Sequence, residues 1–264
     1  MATQGIDVSM YQGNIDFKKV KAAGYTFVII RMNNWDSKKG CNVIDPYFNV
    51  NYSAAKSAGL NVGAYFFTNA NTLNYVSVEL SLCKSILKGK SFEYPIFVDV
   101  ERKQQFDQGK QFCTQLVEKW CSGLEAFGAF AGVYCSRYWY TNFVEEKTRE
   151  RYACWIADWS SICNYKGTYG IWQNGSADVN GITGKCDHNY GYIDYPSIIK
   201  KAGRNDWTEK QSANEPNWKQ MYDTLLGDYK KKEEQLTKLK EKLTKTEKEM
   251  KEAEDALKDT LKEV

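Results

Sequence analysis

Residues 94–102 read YPIFVDVER. Pro95 opens the stretch, Ile96, Phe97 and Val98 make it apolar and prone to extended structure, and Asp99, Val100 and Glu101 close it. An apolar run of this length bounded by a turn residue is the pattern of a buried strand. Side chains alternate faces along a strand, so Asp99 and Glu101 share a face, roughly 7 Å apart along the chain. Two acids on one face of a buried strand cost free energy unless they are used. Their mutual repulsion raises one pKa, leaving a proton donor beside an anion. Hydrolysis of a glycosidic bond uses that pair. Acids also stand at strand ends where a chain merely leaves its core, so the remaining residues carry the weight.

Working outward, the stretch sits in an alternation of apolar runs and amphipathic segments. Strand candidates are GIDVSM (5–10), TFVIIRM (26–32), NVGAYFFT (61–68), GAFAGVYCS (128–136), ACWIADW (153–159), GIWQN (170–174) and the region around Asp187. Helical patterns cover residues 14–22, 47–59, 72–88 and 108–127, residues 33–46 read as a polar loop, and residues 138–149 as a short helix or loop. Such alternation predicts a parallel sheet with crossover helices. About eight strands, with helices thinning after residue 150, predict a closed or nearly closed (β/α) barrel whose last third is irregular. In such barrels the chemistry lies at the carboxyl ends of the strands. Asp7, Asp99, Glu101, Asp158 and Asp187 all fall at or near such ends, a row of acids on one rim.

The composition bounds the rest. Net charge is only +3 over 264 residues, and no basic run interleaved with aromatics appears, so nucleic acid is not an expected partner. No stretch approaches the length of a membrane span, and the opening MATQGIDVSMYQG lacks a basic region followed by an apolar run. The expectation is a chain made in the cytoplasm. Its 8 cysteines all precede residue 190 with no Cys-x-x-Cys pair, and free buried thiols are expected rather than a disulfide framework. His188 is the only histidine and no ligand-spaced cluster surrounds it, so neither metal nor cofactor is expected.

Residues 204–221 are polar and read as a linker between a first domain, 1–203, and a helical tail, 222–264. Apolar residues recur every seven at Tyr222, Tyr229, Leu236, Leu243, Met250, Leu257 and Val264. A weaker stripe holds Leu225, Lys232, Leu239, Thr246, Ala253 and Thr260. This is a heptad pattern with one strong seam. A lone solvated helix of this make-up is marginal, so self-association or packing on the first domain is expected, against the plainer reading of a spacer helix.

The ordered motifs resemble those of the family 25 glycoside hydrolases, muramidase-type lysozymes of bacteriophages, bacteria and fungi. The likeness covers roughly residues 4–200. GIDVSMYQGNIDF is similar to the family's first strand, whose aspartate is here Asp7. FVDVE resembles the acidic strand, with Asp99 and Glu101, and FVIIRM, GAYFF, WIADW and GIWQN follow the family pattern. CDHNY resembles the last-strand motif, here Asp187 and Asn189. Phe66 stands where family members often carry a histidine.

The resemblance implies a flattened TIM-like α/β barrel that cleaves the β-1,4 bond between N-acetylmuramic acid and N-acetylglucosamine of bacterial peptidoglycan, with no cofactor. It implies Glu101 as general acid with the raised pKa, and Asp99 as an ionised carboxylate that orients the substrate's own acetamido group. Asp7 and Asp187 complete an acidic floor, and Tyr65, Trp159, Trp172 and Asn189 are candidate substrate contacts. A phage endolysin, held in the cytoplasm until released onto the cell wall, is the expected setting. The alternatives are a barrel that binds wall glycan without cutting it and a virion component assembled through the tail.

Overall fold

The computed structural model describes residues 2–208 and 218–260. The chain runs β1 (Thr3–Val8), α1 (Phe17–Ala22), β2 (Phe27–Arg31), β3 (Asn33–Asp36), β4 (Cys41–Ile44), α2 (Phe48–Ser57), β5 (Asn61–Phe67) and α3 (Leu73–Leu87). It continues through β6 (Ile96–Asp99), α4 (Lys103–Phe106), α5 (Gly109–Ala126), β7 (Ala131–Ser136), α6 (Arg137–Phe143), α7 (Glu146–Arg151) and β8 (Ala153–Ala157). β9 (Ile171–Asp178), β10 (Lys185–Gly191) and α8 (Tyr195–Ala202) complete the first unit's elements before the terminal helix α9 (Trp218–Thr260).

Eight strands close a barrel in the order β1-β10-β9-β8-β7-β6-β5-β2. All neighbours are parallel except β10, which runs antiparallel to both β1 and β9. The reason is length. A parallel return needs a crossover of a dozen or more residues, and the short turn at 179–184 permits only a hairpin. This is the irregular last third that the thinning helices predict.

Strand parity fills the barrel in layers. Phe27, Ile29, Tyr65, Phe97, Tyr134, Trp155 and Ile171 point inward and form its buried core with Tyr94 and Tyr195. The aromatic rings fit because their neighbours lack side chains. A Cβ on Gly5 would lie 2.3 Å from the Phe27 ring, and one on Gly132 would lie 2.5 Å from Phe97. The same parity carried one step toward the strands' carboxyl ends brings Asp7, Arg31, Asp99 and Gln173 inward above the plug. Apolar packing thus closes one end and leaves a polar mouth at the other.

The stretch expected to be a polar loop, 33–46, is instead the β3–β4 hairpin. Its polarity is internal: Asn33 Nδ2 donates to Asn42 Oδ1 at 2.7 Å, and Asn33 Oδ1 accepts from Phe67 N at 2.8 Å. Buried amides that bond one another satisfy the hairpin without an apolar face. The expected linker also begins later than its composition suggests. Asn205 is 1% exposed, donates through Nδ2 to Tyr94 O at 2.9 Å and accepts from Phe130 N at 2.7 Å. Trp207 stacks on Phe127 at 5.0 Å and donates to its carbonyl at 2.8 Å. Residues 204–208 therefore belong to the barrel's closed end, and 209–217 lie outside the described residues.

All eight cysteines are free, seven of them buried and Cys163 half-buried. Two compact units divide between Tyr222 and Asp223. Tyr222 belongs to the first: it is 4% exposed and its hydroxyl donates to Asn42 O at 2.5 Å, so it is not the start of a free seam. The second unit is the remainder of α9, a 43-residue helix, about 64 Å long at 1.5 Å per residue. Leu236, Leu239, Leu243 and Met250 are each at least half exposed along it. Leu257, Thr260 and Val264 of the two stripes lie outside the residues whose side chains are described.

Candidate active site

Three distant segments bring four carboxylates to the barrel mouth. Asp7 comes from β1 and pairs in register with Asp187 of β10, while Asp99 ends β6 and Glu101 follows it. Asp7 and Asp99 are buried, and Glu101 reaches solvent at the rim. Glu101 and Asp187 line one hollow, and Asp7 and Asp99 are buried.

Two amides organise them. Asp7 Oδ2 accepts from Asn189 Nδ2 at 2.7 Å and from Gln173 Nε2 at 3.0 Å. Asn189 Oδ1 accepts from Trp155 Nε1 at 2.7 Å, and Gln173 Nε2 also approaches Asp187 Oδ2 at 3.4 Å. Gln173 Oε1 accepts from Tyr134 Oη and from Trp159 Nε1, both at 2.9 Å. One amide therefore ties two acids to the ring that forms the outer wall. The orientation follows from its partners: acceptors face the NH₂ and donors face the oxygen.

Burial raises all four carboxyl pKa values, and repulsion between them adds to the effect for Asp7, Asp99 and Glu101. Asp7 is pushed to about 7, by burial first and by Asp187 second, against the bonds from Asn189 and Gln173. Asp99 is raised well above the usual range by burial and then by the Glu101 charge. Glu101 is also raised by burial, but the Tyr134 hydroxyl and the Arg31 guanidinium favour its ionised form. The two carboxyls act on one another, the Glu101 charge being the second cause of the rise at Asp99. Glu101 and Asp99 are thus both held above the usual carboxylate range, each chiefly by its own burial.

The aromatic candidates separate. Trp159 is 62% exposed and stands beside Glu101, Tyr134, Asp187 and Tyr138 in a hollow of about 480 Å³. Tyr65 is buried with its ring edge-on to Trp155 at 5.8 Å, so no face is open to a ligand. Trp172 points away from the barrel interior, donates to Asp158 O at 2.8 Å and packs on Tyr190 at 5.8 Å. Trp172 is thus a packing residue on the outer face, whereas the Tyr65 hydroxyl feels the charges of Asp7, Arg31, Asp99 and Glu101. Asn189 is fully buried and acts on Asp7 rather than on a ligand. Asp158 stands at the rim but pairs with Arg137 at 3.1 Å and caps Asn164, which pulls its pKa down. Tyr134, Gln173 and Arg31 complete the site without having been singled out; their signal was their parity with the acids on neighbouring strands. A larger cleft of about 790 Å³ between α1, α2 and the β9–β10 turn carries no buried carboxylate.

A pH dependence follows. Asp7 binds its proton more tightly folded, near pH 7, than unfolded, near 3.9. The stability it contributes is complete below pH ~4 and is lost as the pH rises to about 7. Unfolding free energies from urea melts should therefore fall between pH 4.5 and pH 7, and Asp7→Asn should shrink that fall by on the order of 3 kcal/mol. An unchanged slope in the variant would show that Asp7 titrates normally.

The geometry agrees with three comparisons. The sequence model described as Glycosyl hydrolases family 25 matches residues 6–181. The autolytic lysozyme of Clostridium acetobutylicum is 29% identical over 195 residues, covering 70% of this chain and 54% of that protein. Lysozyme M1 of Streptomyces globisporus is 43% identical over 68 residues, 26% of this chain and 21% of that protein. The chain thus spans about half the length of the first of these curated relatives, and the matched part of the second is shorter still. Among solved structures, the bacterial lysozyme from Streptomyces coelicolor superposes with TM-score 0.59 at 20% identity, covering 76% of this chain and 97% of that one. The autolysin LytC of Streptococcus pneumoniae, solved with a synthetic peptidoglycan ligand, gives TM-score 0.64 at 21% identity, covering 72% and 47%. These structures share the barrel fold. The chain belongs to glycosyl hydrolase family 25.

Proposed function

We propose that the protein is an N-acetylmuramidase that hydrolyses the β-1,4 bond between N-acetylmuramic acid and N-acetylglucosamine in bacterial peptidoglycan. The observation that carries this reading is the Asp99–Glu101 pair, two carboxyls both raised by burial, at the edge of a hollow walled by Trp159. Relatives that are lysozymes support the substrate class.

Glu101 stands at the rim, within reach of a glycosidic oxygen, and Asp99 lies beneath it. In the reacting complex Glu101 carries the proton and Asp99 is anionic under the sugar, facing the positive charge that grows at the anomeric carbon. Glu101 then protonates the leaving oxygen as the C–O bond breaks. Asp99 Oδ1 is buried with no hydrogen-bond partner. An acceptor left unpaired at the floor costs free energy unless the substrate fills it, and the N–H of a 2-acetamido group is a fitting donor. Held there, the acetamido oxygen can attack the anomeric carbon, as substrate-assisted glycosidases do. A water molecule then opens that intermediate and returns its proton to Glu101. Asp7 and Asp187 hold the floor acidic through Gln173 and Asn189.

Mass spectrometry of fragments released from purified peptidoglycan tests the reading. Products ending in a reducing N-acetylmuramic acid are expected; a reducing N-acetylglucosamine, or intact glycan, would overturn it. The setting proposed is phage-driven host lysis, and one neighbour in fold is the CTP1L endolysin.

The tail reading is that α9 self-associates through Leu236, Leu239, Leu243 and Met250. Leucines half exposed at heptad spacing on a lone helix favour a partner. Sedimentation should show a dimer or larger species for the full chain and a monomer for the double variant Leu236→Lys, Leu243→Lys. A monomeric wild type would remove this assignment.

A further inference from the structure

Next to the acidic mouth, the β3–β4 hairpin and the segments following β5 and β6 enclose a second hollow of about 260 Å³, lined by Trp35, Asn69, Asn71, Arg102, Gln104 and Gln105. None of these residues has a part in the chemistry above. Arg102 directly follows Glu101, so the hollow adjoins the point of cleavage. Its volume falls below the ~300–1,000 Å³ of typical ligand pockets and suits one residue of a chain.

The lining is charged and prearranged. Arg102 Nη1 donates to Asn69 Oδ1, and among the described residues its guanidinium pairs with no carboxylate. The Nε–Nη2 edge is left for a ligand, the fork that matches a carboxylate. Asn69 is fixed from behind, its N–H on Glu79 Oε1 at 2.7 Å and its Nδ2 on Asn42 Oδ1 at 2.8 Å. Gln105 Nε2 braces the same segment through Thr68 O at 3.1 Å and Ala70 O at 3.0 Å. Trp35, 39% exposed, supplies an apolar wall. Asn71 and Gln104 are exposed amides that suit a peptide backbone.

We propose that this hollow binds a carboxylate of the peptide stem that branches from the glycan, so that the enzyme reads the stem as well as the sugar. The proposal rests on the muramidase reading. A polymer lying across Glu101 with its sugars against Trp159 would bring its lateral peptide to the loops that hold Trp35 and Arg102.

The test compares kcat/KM on peptide-bearing glycan strands with kcat/KM on the same strands stripped of peptide by an amidase. The ratio of the two should fall about tenfold in Arg102→Gln, the effect of losing one charge-assisted hydrogen-bonded pair. Arg102→Lys, which keeps the charge, should retain most of the ratio. Equal losses on both substrates would overturn the stem site and leave Arg102 as a brace for the Glu101 segment. A ratio that rises would overturn it too, by assigning Arg102 to the lactyl carboxylate that stripping exposes. Wild-type enzyme that cuts neither strand would instead overturn the muramidase reading, and this site with it.

Discussion

Glu101→Gln should lower kcat on purified peptidoglycan by about 10³-fold while leaving the unfolding midpoint nearly unchanged. The size of the effect follows from its place. Glu101 is the member of the acid pair that reaches solvent, so it is the carboxyl placed to meet a leaving oxygen. A glutamine keeps the shape, but it cannot pass a proton to the leaving oxygen. KM should change little, because Trp159 and the rest of the hollow's wall are untouched. The alkaline limb of the pH profile should also report the pair. Activity needs one proton on two carboxyls whose pKa values are both raised, so it should fall on the alkaline side above the usual carboxylate range. Asp99→Asn should remove that limb or move it, since the limb belongs to the pair. Full activity in Glu101→Gln would remove Glu101 from the mechanism, and a folded protein that has lost activity would keep it there.

The barrel was legible because its signals are local. YPIFVDVER and TFVIIRM are apolar runs that only a buried strand explains, and the pattern over residues 72–88 closely matches α3 (Leu73–Leu87). The acids were legible by parity alone, since Asp99 and Glu101 are two apart on one strand. Tyr134 and Gln173 were not, because their meaning lies in register: Tyr134 stands opposite Asp99 on the neighbouring strand, and Gln173 opposite Asn189. Register between strands that are far apart in sequence is set by closure of the barrel, which no single segment encodes. The outward placement of Trp172 was hidden for the same reason. A tryptophan in a strand has one inward and one outward placement, and composition does not distinguish a sugar platform from a packing ring. The hairpin at 33–46 was hidden because its interior is made of asparagines, which read as loop.

Glu79→Ala should be the most destabilising single change in the barrel, by about 3–5 kcal/mol, because it leaves several buried donors without an acceptor. Glu79 is fully buried on α3. Its Oε2 accepts from Thr68 Oγ1 at 2.6 Å, and its Oε1 accepts from Asn69 N at 2.7 Å and Asn42 Nδ2 at 2.8 Å. Every contact is a donor, so the site is arranged for a carboxylate, and these bonds work against the burial that still raises its pKa to about 7. The sign is the same as for Asp7: stability falls as the pH rises from the unfolded value near 4.3 to about 7. Glu79→Gln should therefore separate two effects. It removes the titration and so flattens stability against pH, but it points an N–H at Thr68, whose hydroxyl already accepts from Trp120 Nε1 at 3.2 Å and Ala70 N at 3.2 Å. That clash of donors should cost about 1–3 kcal/mol, less than the alanine. The functional consequence runs through Asn69, which Glu79 holds and which in turn holds Arg102 beside Glu101. Urea unfolding at pH 5 and pH 8 would measure both terms. An alanine variant as stable as the wild type would mean that water enters to replace the carboxylate, and that the β5–α3 segment is not braced from beneath.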